Sequence, residues 1–520
     1  MTLLKLEELT IEQKLGMTYC ARPTTDADWE FVFELVKKRA LGCVQAAPTR
    51  PDRVKQVKEL ADYPILIICD CETGFPTSDI PKIPLAALSA CDNEEYFRVF
   101  AKGVVTEAKK IGFNGTWSPV VDVLYCNGAN RVHRILSDDP MRVAKAAEII
   151  SRVYKSYGYM SSGKHYPGTK ENPYDGHMAP ADSNKTMEDL MNVDLVPYKY
   201  LMERDLLPSI MTTHNVFKNI DPDNAGTMSP KIQKIIRDMG FDGVTFTDSF
   251  AMMSILQKYG EENILGMAIA AGNDIVLPNY RTRDRDAFAM LVKNYEDGMF
   301  TEERLNEAAR RVLKLHAFVG AEPECNDPFT EEDLKKFDDM ARDCITAVCD
   351  EGVSPALDPD KKHMFVILTD NSFTEDDNLM EITTANWYNP KAIADKIRKE
   401  YPDSQVIYLP ELPNQKQNEQ ILNGSIQFDD VVFITFCMTQ AYLGTDCLTR
   451  RVENLIDCVN MSNKLGGVVH FGNPFALQPL QHVKRKIFGY TMPATQPYCI
   501  DVLKGKYPAK GTLPFNIEFR

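Results

Sequence analysis

Short apolar runs alternate with amphipathic stretches along the first 320 residues. The runs predict strands at 17–21, 41–45, 65–70, 116–121, 158–163, 209–214, 244–248 and 274–278. Helical periodicity fills the intervals, most clearly at 94–111, 141–157, 187–204, 230–239 and 287–294. Eight strands alternating with helices predict an α/β chain whose N-terminal part is a (β/α)₈ TIM-type barrel. A doubly wound open sheet is the alternative arrangement of the same elements. The pattern breaks near Gly320, where GAEPECNDPFTEEDLKKFDD is rich in Pro, Asp and Glu and reads as a linker leading into a helix at 331–348. Further strands follow at 363–368, 405–409, 431–436, 467–471 and 486–490, with helices between them. The expected organisation is a barrel over 1–325, a linker and leading helix over 326–345, and a smaller α/β sandwich domain over 346–520.

The strand ends carry polar groups. The third run ends at Asp70, the fifth leads into Lys164 and His165, the sixth ends at His214 and the seventh at Asp248. In a parallel barrel such ends and the loops after them converge on one face, where active sites form. Asp248 alone also reads as the N-cap of a following helix, and at this level both readings stand. Lys164, His165 and His214 are not capping residues, so capping does not account for the set. Histidine distribution adds weight. Of eight histidines, four (His133, His165, His177 and His214) fall between 133 and 214.

The loop after the fifth strand, from Lys164 to His177, contains Pro167, Gly168, Pro173 and Gly176. It predicts a long, shaped segment able to reach over a pocket. Asp175 and His177 stand two apart, close enough for the carboxylate to fix the imidazole tautomer and stabilise its cation. The plainer reading is an Asx-turn at Asp175 with His177 exposed.

Composition narrows the classes. The net charge of −15 leaves no basic face for nucleic acid. The thirteen cysteines are odd in number and include no C-x-x-C pair, which argues for reduced thiols and a cytoplasmic location. The first 16 residues lack a basic stretch followed by an apolar one, so no signal peptide is expected. No apolar run approaches the ~20 residues that span a bilayer, so no membrane partner is expected.

These residues resemble glycoside hydrolase family 3, and within it the β-N-acetylglucosaminidase branch. That branch carries K-H-F-P-G, six residues, then D-S-H; here Lys164-His165-Tyr166-Pro167-Gly168 is followed after six residues by Asp175-Gly176-His177. The family's nucleophile motif is similar to Gly240-Phe241-Asp242-Gly243-Val244-Thr245-Phe246-Thr247-Asp248, with Arg237 three residues before its first glycine. Weaker likenesses are Trp117-Ser118-Pro119-Val120-Val121-Asp122, Arg134 before Asp138-Asp139-Pro140, Gly472-Asn473-Pro474 and Lys504-Gly505. The sequence departs from the family where Asp70-Cys71-Glu72-Thr73-Gly74-Phe75 lacks that motif's arginine, and at Thr169-Lys170-Glu171-Asn172 and Arg134-Ile135-Leu136-Ser137.

The resemblance implies a retaining glycosidase acting on β-linked N-acetylglucosamine in small oligosaccharides or glycoconjugates, with no cofactor or metal. Asp248 would be the nucleophile. His177, oriented by Asp175, would be the acid/base. Asp70, Arg134, Lys164 and His165 would hold sugar hydroxyls, and His214 would line the pocket. A retaining mechanism needs such a carboxylate and proton donor flanking one bond, and an imidazole both gives and takes a proton near neutral pH. Four other readings remain open: a glycoside phosphorylase, a β-glucosidase-like member with a glutamate acid, a barrel metallohydrolase, and a non-catalytic sugar-binding homologue.

Overall fold

The computed structural model describes residues 1–125, 132–169, 171, 175–178, 181–371, 387–437 and 446–519. The chain divides into two compact units. One comprises Met1–Ile80, Phe97–Cys126 and Ile135–Asp333; the other comprises Pro81–Tyr96, Asn127–Arg134 and Leu334–Arg520. Two segments from within the first 325 residues thus belong to the second unit.

The strands of the first unit are, in chain order, β1 Cys20–Ala21, β2 Cys43–Gln45, β3 Leu66–Ile68, β4 Gly163–Tyr166, β5 Asp182–Ser183, β6 Ser209–Thr212, β7 Val216–Phe217, β8 Val244–Ser249 and β9 Ile275–Leu277. β1, β2 and β3 pair in sequence order, and so do β4, β6, β8 and β9, every pair parallel. Single parallel bridges join the two sets: Ile68 to Gly115, Gly115 to Met160, Val120 to Lys164 and Tyr19 to Val276. Eight segments therefore follow one another in order, and the last pairs with the first. β3 and β9 are buried throughout, as parallel strands covered on both faces must be. β5 and β7 pair with each other, and Val216 of β7 also bridges Ala225; no pattern in the sequence announced them.

The differences from expectation have local causes. Residues 116–121 form no continuous strand, because Pro119 has no N–H to donate to a ladder. The expected 158–163 strand lies later, at β4, with only Met160 bridging before it. The single helix expected over 187–204 is three pieces: Met187–Asp189, a π turn Leu190–Asp194, and Val196–Met202. Pro197 removes one helical donor, and Leu195 N–H reaches back five residues to Leu190 O at 2.8 Å. The expected 331–348 helix stops at Asp343, and Thr346–Cys349 is a strand instead.

In the second unit β10 is that strand, Thr346–Cys349. β11 His363–Thr369, β12 Gln405–Pro410, β13 Asp430–Phe436, β14 Leu465–Phe471 and β15 Arg485–Phe488 complete a sheet of order β10-β15-β14-β13-β11-β12. It is parallel except for β10 on β15. Apolar faces of the helices Pro390–Glu400, Arg450–Met461 and Thr495–Leu503 contribute Ile393, Ile397, Val452, Ile456 and Ile500 to its core.

The first unit holds a buried charge cluster where β8 and β9 begin. Asp274, fully buried, receives Arg237 at 2.7 Å, Arg304 at 2.7 Å and Arg311 at 3.2 Å. The same carboxylate accepts the backbone N–H of Thr245 at 3.0 Å, which fixes the level of β8. Arg237 also donates to Phe241 O and Gly243 O, so the arginine before the Gly240 turn holds that turn shut. Burial alone would raise the Asp274 pKa; the three arginines outweigh it and hold it below the usual range. Its ionised form therefore stabilises the fold above the unfolded-chain aspartate pKa, and that stabilisation is lost as pH falls through the lowered folded value. Asp274→Asn is expected to cost about 3–5 kcal/mol at neutral pH, because three guanidinium groups lose their shared counter-charge. Urea unfolding checks this, and the gap between variant and parent narrows in acid.

Candidate active site

β8 carries Asp248 at its tip. Its level is set at one end by the bond from Thr245 N–H to Asp274, and near the other by Leu277 N–H donating to Thr247 Oγ1 at 2.9 Å. The capping reading of Asp248 does not hold. The next helix, Met253–Tyr259, starts beyond a turn, and its N-cap position is Met252. Asp248 Oδ1 instead accepts the N–H of Ser249 at 2.7 Å, and Oδ2 faces His165 Nε2 at 4.0 Å. Burial acts to raise the Asp248 pKa. The neighbouring His165 and His214, the Ser249 N–H and Lys164 overcome it and keep the carboxyl below its ordinary value.

The surrounding groups are each held by a partner. Asp122 grips His165 twice, accepting its backbone N–H and pairing with Nδ1, both at 2.8 Å. This turns Nε2 of His165 toward Asp248. His214 is buried; Nε2 lies 3.1 Å from Ser249 O and Nδ1 lies 2.9 Å from Thr227 Oγ1. Its ring stacks on Phe250 with centroids 5.5 Å apart. Burial pushes its pKa down, against the pull of Asp248. Both of its nitrogens are thus engaged within the fold, one of them on the carbonyl next to Asp248. Lys164, also buried, donates to Asp70 Oδ1 at 3.0 Å and lies 2.5 Å from Glu72 Oε1, while Asp70 itself is half exposed.

Asp175 is buried, and its Oδ1 takes both the backbone N–H of His177 at 2.9 Å and Nδ1 of its ring at 2.8 Å. The Asx-turn and the imidazole clamp are one arrangement here, not alternatives. The His177 ring is 29% exposed, and its backbone carbonyl accepts the N–H of Met253, five residues beyond Asp248. Asp248 and His165 thus face one another, His214 bonds the Ser249 carbonyl next to Asp248, and the His177 backbone is tied to the turn just beyond. These residues therefore gather around one place at the end of β8. Residues 170 and 172–174 of the same loop, which include Lys170 and Asn172, lie outside the described residues. Arg134 belongs to the second unit, on the short turn Val132–Arg134 that packs against the helix Leu85–Ala90. Among the described residues no group of three or more His, Cys, Asp or Glu is arranged to hold a metal ion. No described helix is long and apolar enough to cross a membrane.

Asp122 and Glu72 appear in the sequence reading only as parts of motifs, without a site role, although each had a signal. Asp122 closes the apolar run that starts at Trp117, and Glu72 lies one residue past the strand-end pair Asp70-Cys71. Thr227 had none; its place follows only from the fold.

Comparison with known proteins adds a family. The N-terminal domain of glycosyl hydrolase family 3 matches residues 44–315. A β-hexosaminidase of Pseudomonas aeruginosa is 30% identical over 175 residues, covering 34% of this chain and 52% of the relative. The chain thus spans about half the length of that curated relative. Among solved structures, a family 3 β-N-acetylglucosaminidase from Paenibacillus sp. is similar with a TM-score of 0.78 at 23% identity, over 98% of this chain and 100% of that one. The β-glucoside phosphorylase BglX is similar with a TM-score of 0.81 at 21% identity, over 99% and 95%. Identities this low establish a shared fold.

The electrostatic reading of the site is open to a direct check. In a carboxyl NMR titration, with the signal assigned by its loss in Asp248→Asn, Asp248 should titrate below an unfolded-chain aspartate. His165→Ala should move that midpoint up, because one stabilising neighbour is gone. A midpoint at or above the ordinary value would contradict it.

Proposed function

The chain belongs to glycosyl hydrolase family 3, and we propose that it is a retaining glycosidase that removes terminal β-linked N-acetylglucosamine from small glycans. In this reading the ring of eight segments is a (β/α)₈ catalytic barrel over 1–325. Residues 326–345 are its linker and leading helix, and 346–520 are an α/β sandwich domain. The observation that carries the proposal is the pairing of a stabilised carboxylate at the β8 tip with an imidazole clamped by Asp175 on a loop bonded to the turn after Asp248.

The chemistry follows from those positions. An Asp248 oxygen attacks the anomeric carbon, and a covalent glycosyl ester forms as the bond to the leaving oxygen breaks. With Nδ1 of His177 committed to Asp175, proton exchange runs through Nε2, which gives its proton to the leaving oxygen. The neutral ring then takes a proton from water as that water attacks the same carbon and frees the Asp248 carboxylate. Asp175 supports the imidazolium at the start of the cycle and again at its end. Lys164, Asp70 and His165 hold sugar hydroxyls. His214 borders the pocket and secures the Ser249 turn. A lowered Asp248 pKa suits a nucleophile that must be ionised.

An imidazole acid/base supports a second reading on the same residues. Neutral imidazole repels an anion less than a carboxylate does, so phosphate could replace water as acceptor and yield the sugar 1-phosphate. One set of assays separates the readings: release from aryl β-N-acetylglucosaminide and aryl β-glucoside, each with and without phosphate. Wild type should prefer the first substrate and need no phosphate. Asp248→Ala should lose about 10⁴-fold or more in turnover. Phosphate-dependent formation of a sugar 1-phosphate would establish the second reading instead.

A further inference from the structure

The proposed acid/base stands on a loop, yet a proton donor works only when held to within a fraction of an ångström. What holds that loop lies outside the residues so far assigned. Asp194 closes the π turn Leu190–Asp194, which breaks an otherwise helical segment; such turns often mark functional positions. Its carboxylate is fully buried, and so is Lys185, whose Nζ meets both oxygens at 2.8 and 2.9 Å. Asp194 Oδ1 also accepts the backbone N–H of Thr169 at 3.2 Å. Gly168, at φ +150°, makes room for this: a Cβ there would fall 2.1 Å from Asp194 Oδ1. Thr169 Oγ1 donates to Val123 O at 3.0 Å, tying the same point to the segment that leads to the ring.

The returning end of the loop is gathered at the same carboxylate. Lys185 follows β5, and Asn184 N–H donates to Glu171 Oε2 at 2.7 Å. Residues 168–169 and residue 185, the two ends of the stretch that carries Asp175 and His177, thus meet on one side chain. Stability is a weak reason for such a pair. Burial pushes the Asp194 pKa up to about 6 against the pull of Lys185, and burial likewise lowers Lys185. Buried pairs of this kind are often replaced by apolar residues at no net cost.

We propose that Asp194 and Lys185 are positioning residues that close the base of the Asp175–His177 loop and so set where the imidazole delivers its proton. The inference rests on the reading of His177 as acid/base. Its signature is a loss confined to substrates that need protonation. A poor leaving group depends on the acid, whereas a dinitrophenyl group departs without it.

The test uses the full chain and compares wild type, His177→Ala and the double variant Asp194→Leu/Lys185→Met, which keeps apolar volume in place of the pair. kcat/KM reports the first chemical step on dinitrophenyl and methyl β-N-acetylglucosaminides. The double variant should fold and lose about 10²-fold on the methyl glycoside but under about 10-fold on the dinitrophenyl one, in parallel with His177→Ala. Asp194→Asn/Lys185→Met keeps an oxygen for Thr169 N–H and should recover most of the loss. Should Asp194→Leu/Lys185→Met not fold, Gly168→Ala, whose methyl displaces the carboxylate, carries the same comparison. Equal losses on both substrates, or none, while His177→Ala is selective would overturn the positioning role alone. An unselective His177→Ala would overturn the acid/base reading and the positioning role with it.

Discussion

A carboxylate drawn partly out of water at the end of an apolar ring of strands, as Asp248 is with 21% of its side chain still exposed, stays charged only if the protein replaces the water it has lost. Everything at the tip of β8 answers to that requirement. Asp248 keeps its charge because two imidazoles, an amide and a lysine surround it, and each of those needs its own support. Asp122 turns His165, Thr227 and Ser249 seat His214, and Asp70 with Glu72 balances Lys164. The outer polar residues follow from the charge at the centre, and taking one away exposes another.

The two ends of β8 solve the same problem with different chemistry. At its start Asp274 is surrounded by three arginines, which never lose their charge near neutrality. That end is a lock, and it sets the height at which Asp248 emerges. At the tip the compensating groups include histidines, which are bulky and directional. A carboxylate locked as Asp274 is would be a poor nucleophile. Asp248 faces an imidazole 4.0 Å away and, among the described residues, forms no ion pair with a guanidinium, which in the proposed reading leaves its lone pairs for a reacting carbon.

Much of this was legible in the sequence because strand ends are where parallel architecture exposes side chains. Asp248, His165 and Lys164 stand at or just after apolar runs, and the Asp175–His177 pair is legible from its spacing in a loop with Gly and Pro; Asp248 and His165 face one another at the end of β8, and the His177 backbone is bonded to the turn beyond. Where reading failed, backbone chemistry was responsible. The run 116–121 looks like a strand, but Pro119 interrupts its ladder. The stretch 187–204 has helical periodicity, but the π turn before Pro197 redirects Asp194 inward, a change that no pattern of polar and apolar residues reveals. Residues such as Thr227 act across sequence gaps and become visible only when the chain has folded. The second unit shows the reverse case: its long apolar strands were easily found, while the strand Thr346–Cys349 was hidden in the tail of a predicted helix.

The central claim is that the Asp248 carboxylate becomes covalently bound to the sugar. The most direct measurement is the intact and peptide mass of the enzyme after exposure to an activated fluorinated N-acetylglucosaminide, whose fluorine slows release of the intermediate. The account predicts one added fluorosugar, located on the peptide that contains Asp248. A label on any other residue, or steady turnover to the inverted anomer with no adduct, would contradict it.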